Sequence, residues 1–355
     1  MSSDRYIRRT LIKRGKKDYA YTKESALAYA DKFESIRKHL ILNGFDQRKI
    51  PTLFVCKTLC TFPTFLSYGD SRYFLYDINL PEYFKKLNAA LMNDVAYDDL
   101  LGIWLQLTCE RLYLMNQKER CYKFCTLNSL TIKQNEVESG IDAATGIQED
   151  MVMAHEAGHY FLEECPDKIG TLAHILDFFE FIINESDDNI LEHEIDLDSP
   201  VLAGIVEECF CDQIGVDYVI NKNRAIFLAS PMETIKNIYR SLCYTSILDY
   251  PTHVLKTWIE DKDLENFYTN EMFSLLYRFN YVYTLFLQHL KPPTYDESDI
   301  KNVFVTQIEE YMSLMKNYRE FVIQTIESGV LESIHLPQIN EQTALISRKL
   351  HLASN

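Results

Sequence analysis

The sequence is poor in the residues that break helices and form tight turns, since its 355 residues include only 11 glycines and 10 prolines. A fold built from many hairpins needs such residues at its turns, so their scarcity argues against an all-β protein and favours long helices. Apolar residues make up 47% of the chain and charged residues 25%, as is typical of a globular protein with a sizeable core. We therefore expect a mainly α (α+β) fold.

Positive charge is also scarce, with 36 Lys and Arg against 52 Asp and Glu and a formal net charge of −16. An acidic surface repels phosphate backbones, so we expect no nucleic-acid partner. Residues 1–20 are the exception, because they contain a cluster of basic residues: Arg5, Arg8, Arg9, Lys13, Arg14, Lys16 and Lys17. We interpret residues 1–20 as a flexible basic arm, with a targeting or docking segment as the alternative.

Long apolar runs and paired cysteine motifs are missing as well. No uninterrupted apolar run is long enough to span a bilayer, and the best candidate, residues 272–290, is interrupted by polar side chains such as Arg278. The nine cysteines do not form the CxxC pairs of a structural zinc site, and the N-terminus has no apolar core of a secretory signal. We therefore expect no membrane span and a cytoplasmic protein with reduced thiols.

The first third of the chain carries the β-like segments. β-branched and aromatic residues predict strands at 52–55 and 73–78, with a turn at Gly69-Asp70 before the second strand. Residues 121–132 are interpreted as one more strand. A small sheet is thus expected ahead of the helical part of the chain.

Helical patterns dominate from residue 145 onward. A capping box from Thr145 to Gln148 predicts the start of a helix that ends near Glu164, and a second start is expected at Ser199-Pro200. Further helices are expected at 169–184, 233–259, 264–290 and 298–328. We divide the chain into a catalytic region at 21–224 and a helical C-terminal region at 225–355, with a single domain containing both as the alternative.

Residues 155–159 read His-Glu-Ala-Gly-His, inside the first of these helices. A spacing of four residues places His155 and His159 on one helix face, roughly 6 Å apart along the axis, where both imidazoles can bind one ion. Glu156 would then face the open coordination position and could take a proton from bound water. The motif fixes only three positions, so a chance match is the alternative. The apolar flanks oppose that alternative, because a buried helix does not carry such polar residues without partners.

Zinc requires a further protein ligand. The metzincin pattern would place Gly at 162 and His at 165, where this chain has Leu162 and Cys165, so that class is excluded. Glu208 and Asp212 are four residues apart on the helix that begins at Pro200. Glu208 can bind the ion while Asp212 accepts a hydrogen bond from a ligating imidazole. Glu207 is the alternative ligand, about 100° away around that helix.

A helical HExxH motif followed by a helical ExxxD motif resembles the gluzincin arrangement of Ste24/HtpX-type peptidases. It is also similar to the pattern of ImmA/IrrE-like peptidases, and in both cases the similarity covers only the two ligand helices. The resemblance implies a zincin-like helical catalytic core in which Zn²⁺ has Glu208 as its third ligand. Cys211 departs from the Ala that these families prefer. The letters HEAGH also occur in FtsH-type proteases, but this chain has no nucleotide-binding loop.

These observations predict a zinc-dependent metallopeptidase that acts on a peptide or protein substrate. The helical C-terminal half is expected to offer a surface for a protein partner. A non-peptidase zinc hydrolase acting on a small amide or ester is one alternative. A binding or regulatory protein in which zinc only links helices is the other, although a structural site would need four closed ligands and no general base.

Two features around the motif remain open. An oxyanion-stabilising donor is required for hydrolysis, and the candidates are His174, His193, Tyr218, Arg240, Tyr244 and His253. Taken alone, each of these residues is more typical of a structural role. His174 is expected to be a core histidine. The acidic, Lys- and Arg-free segment 177–198 is expected to be a solvated loop, or alternatively to border the cleft and favour basic peptides.

Overall fold

The computed structural model describes residues 2–15, 21–24, 26–59, 62–92, 97–128, 139–185, 200–260, 265–290 and 296–350. Its strands are β1 (Tyr21–Lys23), β2 (Thr52–Thr58), β3 (Thr64–Tyr68) and β4 (Ser71–Asp77). Its helices are α1 (Ser3–Gly15), α2 (Leu27–Leu42), α3 (Asn79–Met92), α4 (Tyr97–Leu114), α5 (Lys118–Asn128), α6 (Ser139–Glu164), α7 (Lys168–Glu185), α8 (Pro200–Lys222), α9 (Arg224–Ala229), α10 (Pro231–Glu260), α11 (Glu265–His289), α12 (Glu297–Glu327), α13 (Val330–Ser333) and α14 (Ile339–Lys349).

The strands form one small sheet in the order β1-β2-β4-β3. The central pair, β2 and β4, is parallel, and the two outer strands are antiparallel to their neighbours. Gly69 adopts φ +59° in the predicted turn between β3 and β4, a conformation that glycine reaches without steric cost. The expected fold class is confirmed, because the protein is mainly α with a small sheet ahead of a helical C-terminal half.

Helix α6 lies at the centre of the structure, where it packs against α3, α8 and α10. Its middle turn, Met151 to Ala154, is almost completely buried. The contact with α8 is especially close, since a Cβ added to Gly158 would lie 3.0 Å from the Cα of Cys211. Gly158, which has no side chain, therefore permits the close packing of α6 against α8.

The N-terminal segment differs from the flexible arm that we expected for residues 1–20. Residues 3–15 form helix α1, and Ile7 and Leu11 are buried against one face of the sheet, next to Phe54, Leu66 and Leu75. The expectation is wrong for these residues because Ile7 and Leu11 are four positions apart and so form an apolar stripe among the basic side chains. Residues 16–20 lie outside the described part of the chain.

Two further expectations from the sequence are wrong. The strand expected at 121–132 is helix α5 as far as Asn128, because Cys121, Phe124 and Cys125 are buried at helical spacing; residues 129–132 are not described. Helix α6 begins at Ser139, so Thr145 and Gln148 lie inside it and do not cap it.

The predicted C-terminal helices correspond to α10, α11 and α12. One hydrophobic cluster contains residues from Ile36 to Leu350, which favours the alternative that both proposed regions form one domain. Within the described ranges, no helix combines the length and apolar character needed to cross a membrane.

Helix α10 contains Pro251, whose missing N–H removes one hydrogen bond from the helix. The buried Arg111 donates to the carbonyl of Leu248 in the same turn, at 2.9 Å.

Candidate metal centre

Helices α6 and α8 bring together the three residues that the sequence identified as metal ligands. One ligand atom from each of His155, His159 and Glu208 can be chosen so that all lie within 4.8 Å of one another, and this is the one such cluster among the described residues. The Nε2 atoms of the two histidines are 3.2 Å apart. Carboxylate oxygens of Glu208 lie 3.3 Å from the Nε2 of His155 and 3.4 Å from the Nε2 of His159.

Asp212 determines the protonation of the first histidine. Its Oδ1 lies 2.8 Å from the Nδ1 of His155, and because a carboxylate can only accept, Nδ1 must carry the proton. When the ring is neutral, the Nε2 of His155 then carries a lone pair, which is directed at His159 and Glu208. This is the supporting role predicted for Asp212, which is completely buried.

The donor set fits a tetrahedral divalent ion. Two imidazoles and one carboxylate are typical ligands of a catalytic zinc site. Bonds of about 2.0–2.1 Å in a tetrahedral site separate the ligand atoms by about 3.3–3.4 Å, close to the separations of 3.2–3.4 Å found here. Lone pairs that converge at such distances repel one another unless a cation or a proton lies between them.

Arg278 on α11 is a member of the site that sequence reasoning did not identify. Its Nε and Nη2 donate to the two oxygens of Asp212 at 2.7 and 2.8 Å, and its Nη1 lies 3.3 Å from Glu208. Burial would raise the pKa of both carboxyls, but the charge of Arg278 together with the hydrogen bonds and charge of His155 outweighs it and holds each pKa below its usual value. The available signal was a single arginine flanked by the apolar residues Leu276, Tyr277 and Phe279, since buried charges are normally paired.

The pKa values of the two histidines are shifted in opposite directions. Burial lowers the pKa of each ring, and the neighbouring charge of His155 lowers that of His159 further. For His155, hydrogen bonds to Asp212 and Glu208 outweigh the burial and raise its pKa. The carboxylates of Asp212 and Glu208 thus favour positive charge at this point.

Glu156 lines the same cleft as the candidate ligands. Burial raises the pKa of its carboxyl from the ordinary value to about 7, although the charges of His155 and Arg278 oppose this shift. A carboxylate whose pKa lies near neutrality is suited to accept a proton and return it. Glu156 thus lies beside the candidate ligands, and its role as general base stays a prediction.

The cleft above this centre has a volume of about 480 Å³. Helices α6, α8, α10 and α11 supply most of its walls, and Phe62, between β2 and β3, supplies part of the rest. The residues that line it are Phe62, Met151, Val152, His155, Glu156, His159, Glu208, Leu242, Thr245, Ser246, Asp249, Ser274 and Arg278.

Other candidates from the sequence lie elsewhere. Glu207, the alternative ligand, forms an ion pair with Lys168 at 2.7 Å and does not line the cleft. The expectation of a core position for His174 is wrong, because this residue is exposed, with its Nε2 3.0 Å from the side-chain oxygen of Gln213. None of the described oxyanion candidates lines the cleft; His193 and most of the acidic segment 177–198 lie outside the described residues.

Comparisons of the chain with protein-family models, with curated proteins and with solved structures find no match.

Proposed function

We propose that this protein is a zinc-dependent metallopeptidase in which His155, His159 and Glu208 bind the ion and Glu156 is the general base. The observation that carries the proposal is the convergence of three ligand atoms in a cleft that Glu156 also lines. A purely structural zinc site would have a fourth protein ligand and no free carboxylate beside it. Within the described residues, the cluster contains only these three ligands.

An ion held by His155, His159 and Glu208 would supply Lewis acidity, which would polarise the scissile carbonyl and lower the pKa of a water molecule. Glu156 accepts a proton from that water while the water oxygen forms a bond to the carbonyl carbon. The same carboxyl then delivers the proton to the amide nitrogen, the C–N bond breaks, and a carboxylic acid and an amine are released. Asp212 fixes the tautomer of His155, and Arg278 fixes the position of Glu208.

A peptide substrate is supported by the position of β3. This strand is the edge of the sheet and begins at Thr64, two residues after Phe62, which lines the cleft. Phe65 on β3 stacks on Tyr160, the residue that follows His159, with ring centroids 4.8 Å apart. An extended peptide can pair with such an edge through backbone hydrogen bonds. We place the protein in the cytoplasm, because the eight described cysteines carry thiols and not disulfides.

The metal part of the proposal is tested by two neighbouring substitutions. Glu208→Gln is expected to lower zinc affinity strongly, because it removes the anionic ligand, whereas Glu207→Gln should leave it unchanged, because Glu207 pairs with Lys168. Zinc bound per chain is measured by elemental analysis after dialysis against a chelator buffer. Equal zinc content in the two variants would contradict the assignment of the third ligand.

The catalytic part is tested by Glu156→Gln with Glu163→Gln as the matched control. Both residues lie on α6, but Glu163 is exposed and outside the cleft. Loss of the general base should reduce turnover by about 10²–10⁴-fold while zinc content stays at the wild-type level. Hydrolysis is measured by mass spectrometry on a degenerate peptide library. Full activity of Glu156→Gln would refute the mechanism.

A non-peptidase zinc hydrolase is the second candidate, and one observation favours it. The described lining residues include no residue of a β-strand, and a cleft of about 480 Å³ has the size of a small-molecule pocket. Turnover of small acyl amides or esters without cleavage of any library peptide would favour this candidate over the peptidase.

A further inference from the structure

One face of helix α10 forms a wall of the cleft. Leu242, Thr245, Ser246 and Asp249 all line it, and their spacing of three, four and seven residues places them along a single helical stripe. The stripe is apolar at Leu242, carries hydroxyl groups in its middle and ends in a carboxylate. The negative charge of Asp249 therefore lies at one end of the wall, two positions before Pro251 in α10.

Asp249 is the carboxylate of the cleft that the proposed chemistry does not use. Glu208 and Glu156 are assigned to the ion and the water. Among the described lining residues, Arg278 is the one permanent cation, and its nitrogens are already directed at Asp212 and Glu208. Asp249 forms no ion pair with another lining residue. Burial would raise the pKa of its carboxyl, but the hydrogen bond with His253 and the charges of Arg111 and Lys256 lower it, so a carboxylate faces the cleft.

The surroundings of Asp249 leave it accessible. Its Oδ2 lies 3.1 Å from the Nε2 of His253, one turn further along α10, yet 55% of the Asp249 side chain remains exposed. The hydroxyl groups of Thr245 and Ser246 precede it along the stripe and can accept further hydrogen bonds from an ammonium or guanidinium group. A carboxylate with adjacent hydroxyl groups is complementary to a cation and unfavourable for an anion.

We infer that Asp249 binds a cationic group of the substrate and thereby selects basic peptides. The cation is an ammonium or guanidinium group, which is either a Lys or Arg side chain near the scissile bond or the free amino terminus of the peptide. The inference rests on the proposed peptidase function and specifies the substrate class for the same cleft.

The test compares Asp249→Asn with Asp217→Asn. Asp217 on α8 is a matched control because it also pairs with a histidine, His289, at 2.8 Å, but lies outside the cleft. Zinc-loaded full-length proteins are assayed on four forms of one peptide found in the library, with lysine or norleucine at the selected position and with a free or acetylated amino terminus.

We expect Asp249→Asn to lower kcat/KM for the cationic peptides by about tenfold or more and to leave the acetylated norleucine peptide unchanged. Asp217→Asn should change none of these values. Asp249→Lys should reverse the preference toward a peptide with glutamate at the selected position. Dependence on lysine identifies a side-chain subsite, and dependence on the free amine identifies an aminopeptidase-type site.

Failure of the inference and failure of the proposed function are distinguishable. If the wild-type protein cleaves peptides with no preference for a cation, or if Asp249→Asn retains the preference, the inference is overturned and the peptidase proposal stands. If no peptide is cleaved, the peptidase proposal fails. The role of Asp249 is then tested by peptide binding to zinc-loaded Glu156→Gln, measured by fluorescence anisotropy with lysine and norleucine peptides. Tighter binding of the lysine peptide that is lost when Asp249→Asn is added supports the subsite. Equal or undetectable binding of the two peptides overturns it.

Discussion

The close contact between α6 and α8 yields a prediction that compares two glycines on one helix. Gly158→Ala adds a methyl group whose carbon would lie 3.0 Å from the Cα of Cys211 and 3.3 Å from its Cβ. The obstacle is backbone, which cannot rotate away, so the two helices must separate by several tenths of an ångström. Gly146→Ala adds the same methyl group with no atom within 4 Å.

The expected magnitudes have opposite signs. Replacing glycine by alanine inside a helix favours folding by about 0.5–1 kcal/mol, and this is the whole effect at Gly146. At Gly158 an overpacking cost of about 1–3 kcal/mol opposes that gain, so a net destabilisation of about 1 kcal/mol, and at most about 2.5 kcal/mol, is expected. Because Gly158 lies between His155 and His159, separation of the helices also moves Glu208 away from both imidazoles and weakens zinc binding.

The free energy of unfolding of both variants is measured by urea denaturation of the metal-free proteins. Zinc affinity is measured by competition with a chromophoric chelator. A second substitution, Cys211→Gly in the Gly158→Ala background, removes two of the three close contacts and should restore part of the lost zinc affinity. A Gly158→Ala protein that is at least as stable as wild type and binds zinc equally well would refute the proposed packing constraint.

Three further predictions concern the surroundings of the site and helix α1. Asp212→Asn should lower zinc affinity about 10–100-fold while the ligands remain, as measured by chelator competition. Arg278→Met should destabilise the protein by about 3–5 kcal/mol in urea denaturation, because it leaves the fully buried Asp212 without its cation. Ile7→Asp should release α1 from the sheet and expose the N-terminal segment to limited proteolysis, whereas Arg5→Asp, at an exposed position, should not.

The ligand helices could be predicted from the sequence because their information is local. A four-residue spacing within one helix specifies a shared face, so the relation of His155 to His159 and of Glu208 to Asp212 follows from helical geometry alone. The packing of α6 on α8 could be expected from Gly158, since a helix with a small residue there can approach a neighbour closely. These parts of the site needed no knowledge of the tertiary fold.

Arg278 and Asp249 could not be assigned in this way because their roles depend on tertiary packing. Arg278 lies 66 residues after Asp212, and no periodic pattern connects the two positions. Asp249 faces the cleft only because α10 crosses α6, and a solvated surface position would show the same sequence. The incorrect interpretation of residues 121–132 has another origin: a short apolar segment fits either secondary structure until its burial period is known.

The two buried acidic residues of α6 that lie outside the cleft, Glu149 and Asp150, are paired with lysines. Lys32 lies 2.5 Å from Glu149 and 3.1 Å from Asp150, and Lys222 lies 2.6 Å from Asp150. Tyr76 also donates a hydrogen bond to Glu149. Two carboxylates and two ammonium groups thus balance on this side, as expected for charges that are buried for structural reasons.

The site between α6 and α8 is not compensated in the same way. Glu156, Glu208 and Asp212 bring three carboxylates together, and Arg278 is the one permanent cation among the described residues that contact them. The shortage of permanent positive charge occurs where three ligand atoms converge, and a bound cation would supply it. A fold that pairs the buried Glu149 and Asp150 of α6 so closely would be expected to pair these carboxylates as well if their role were structural. The unequal compensation of the two groups of carboxylates is therefore an argument for a metal ion that does not depend on the sequence motif.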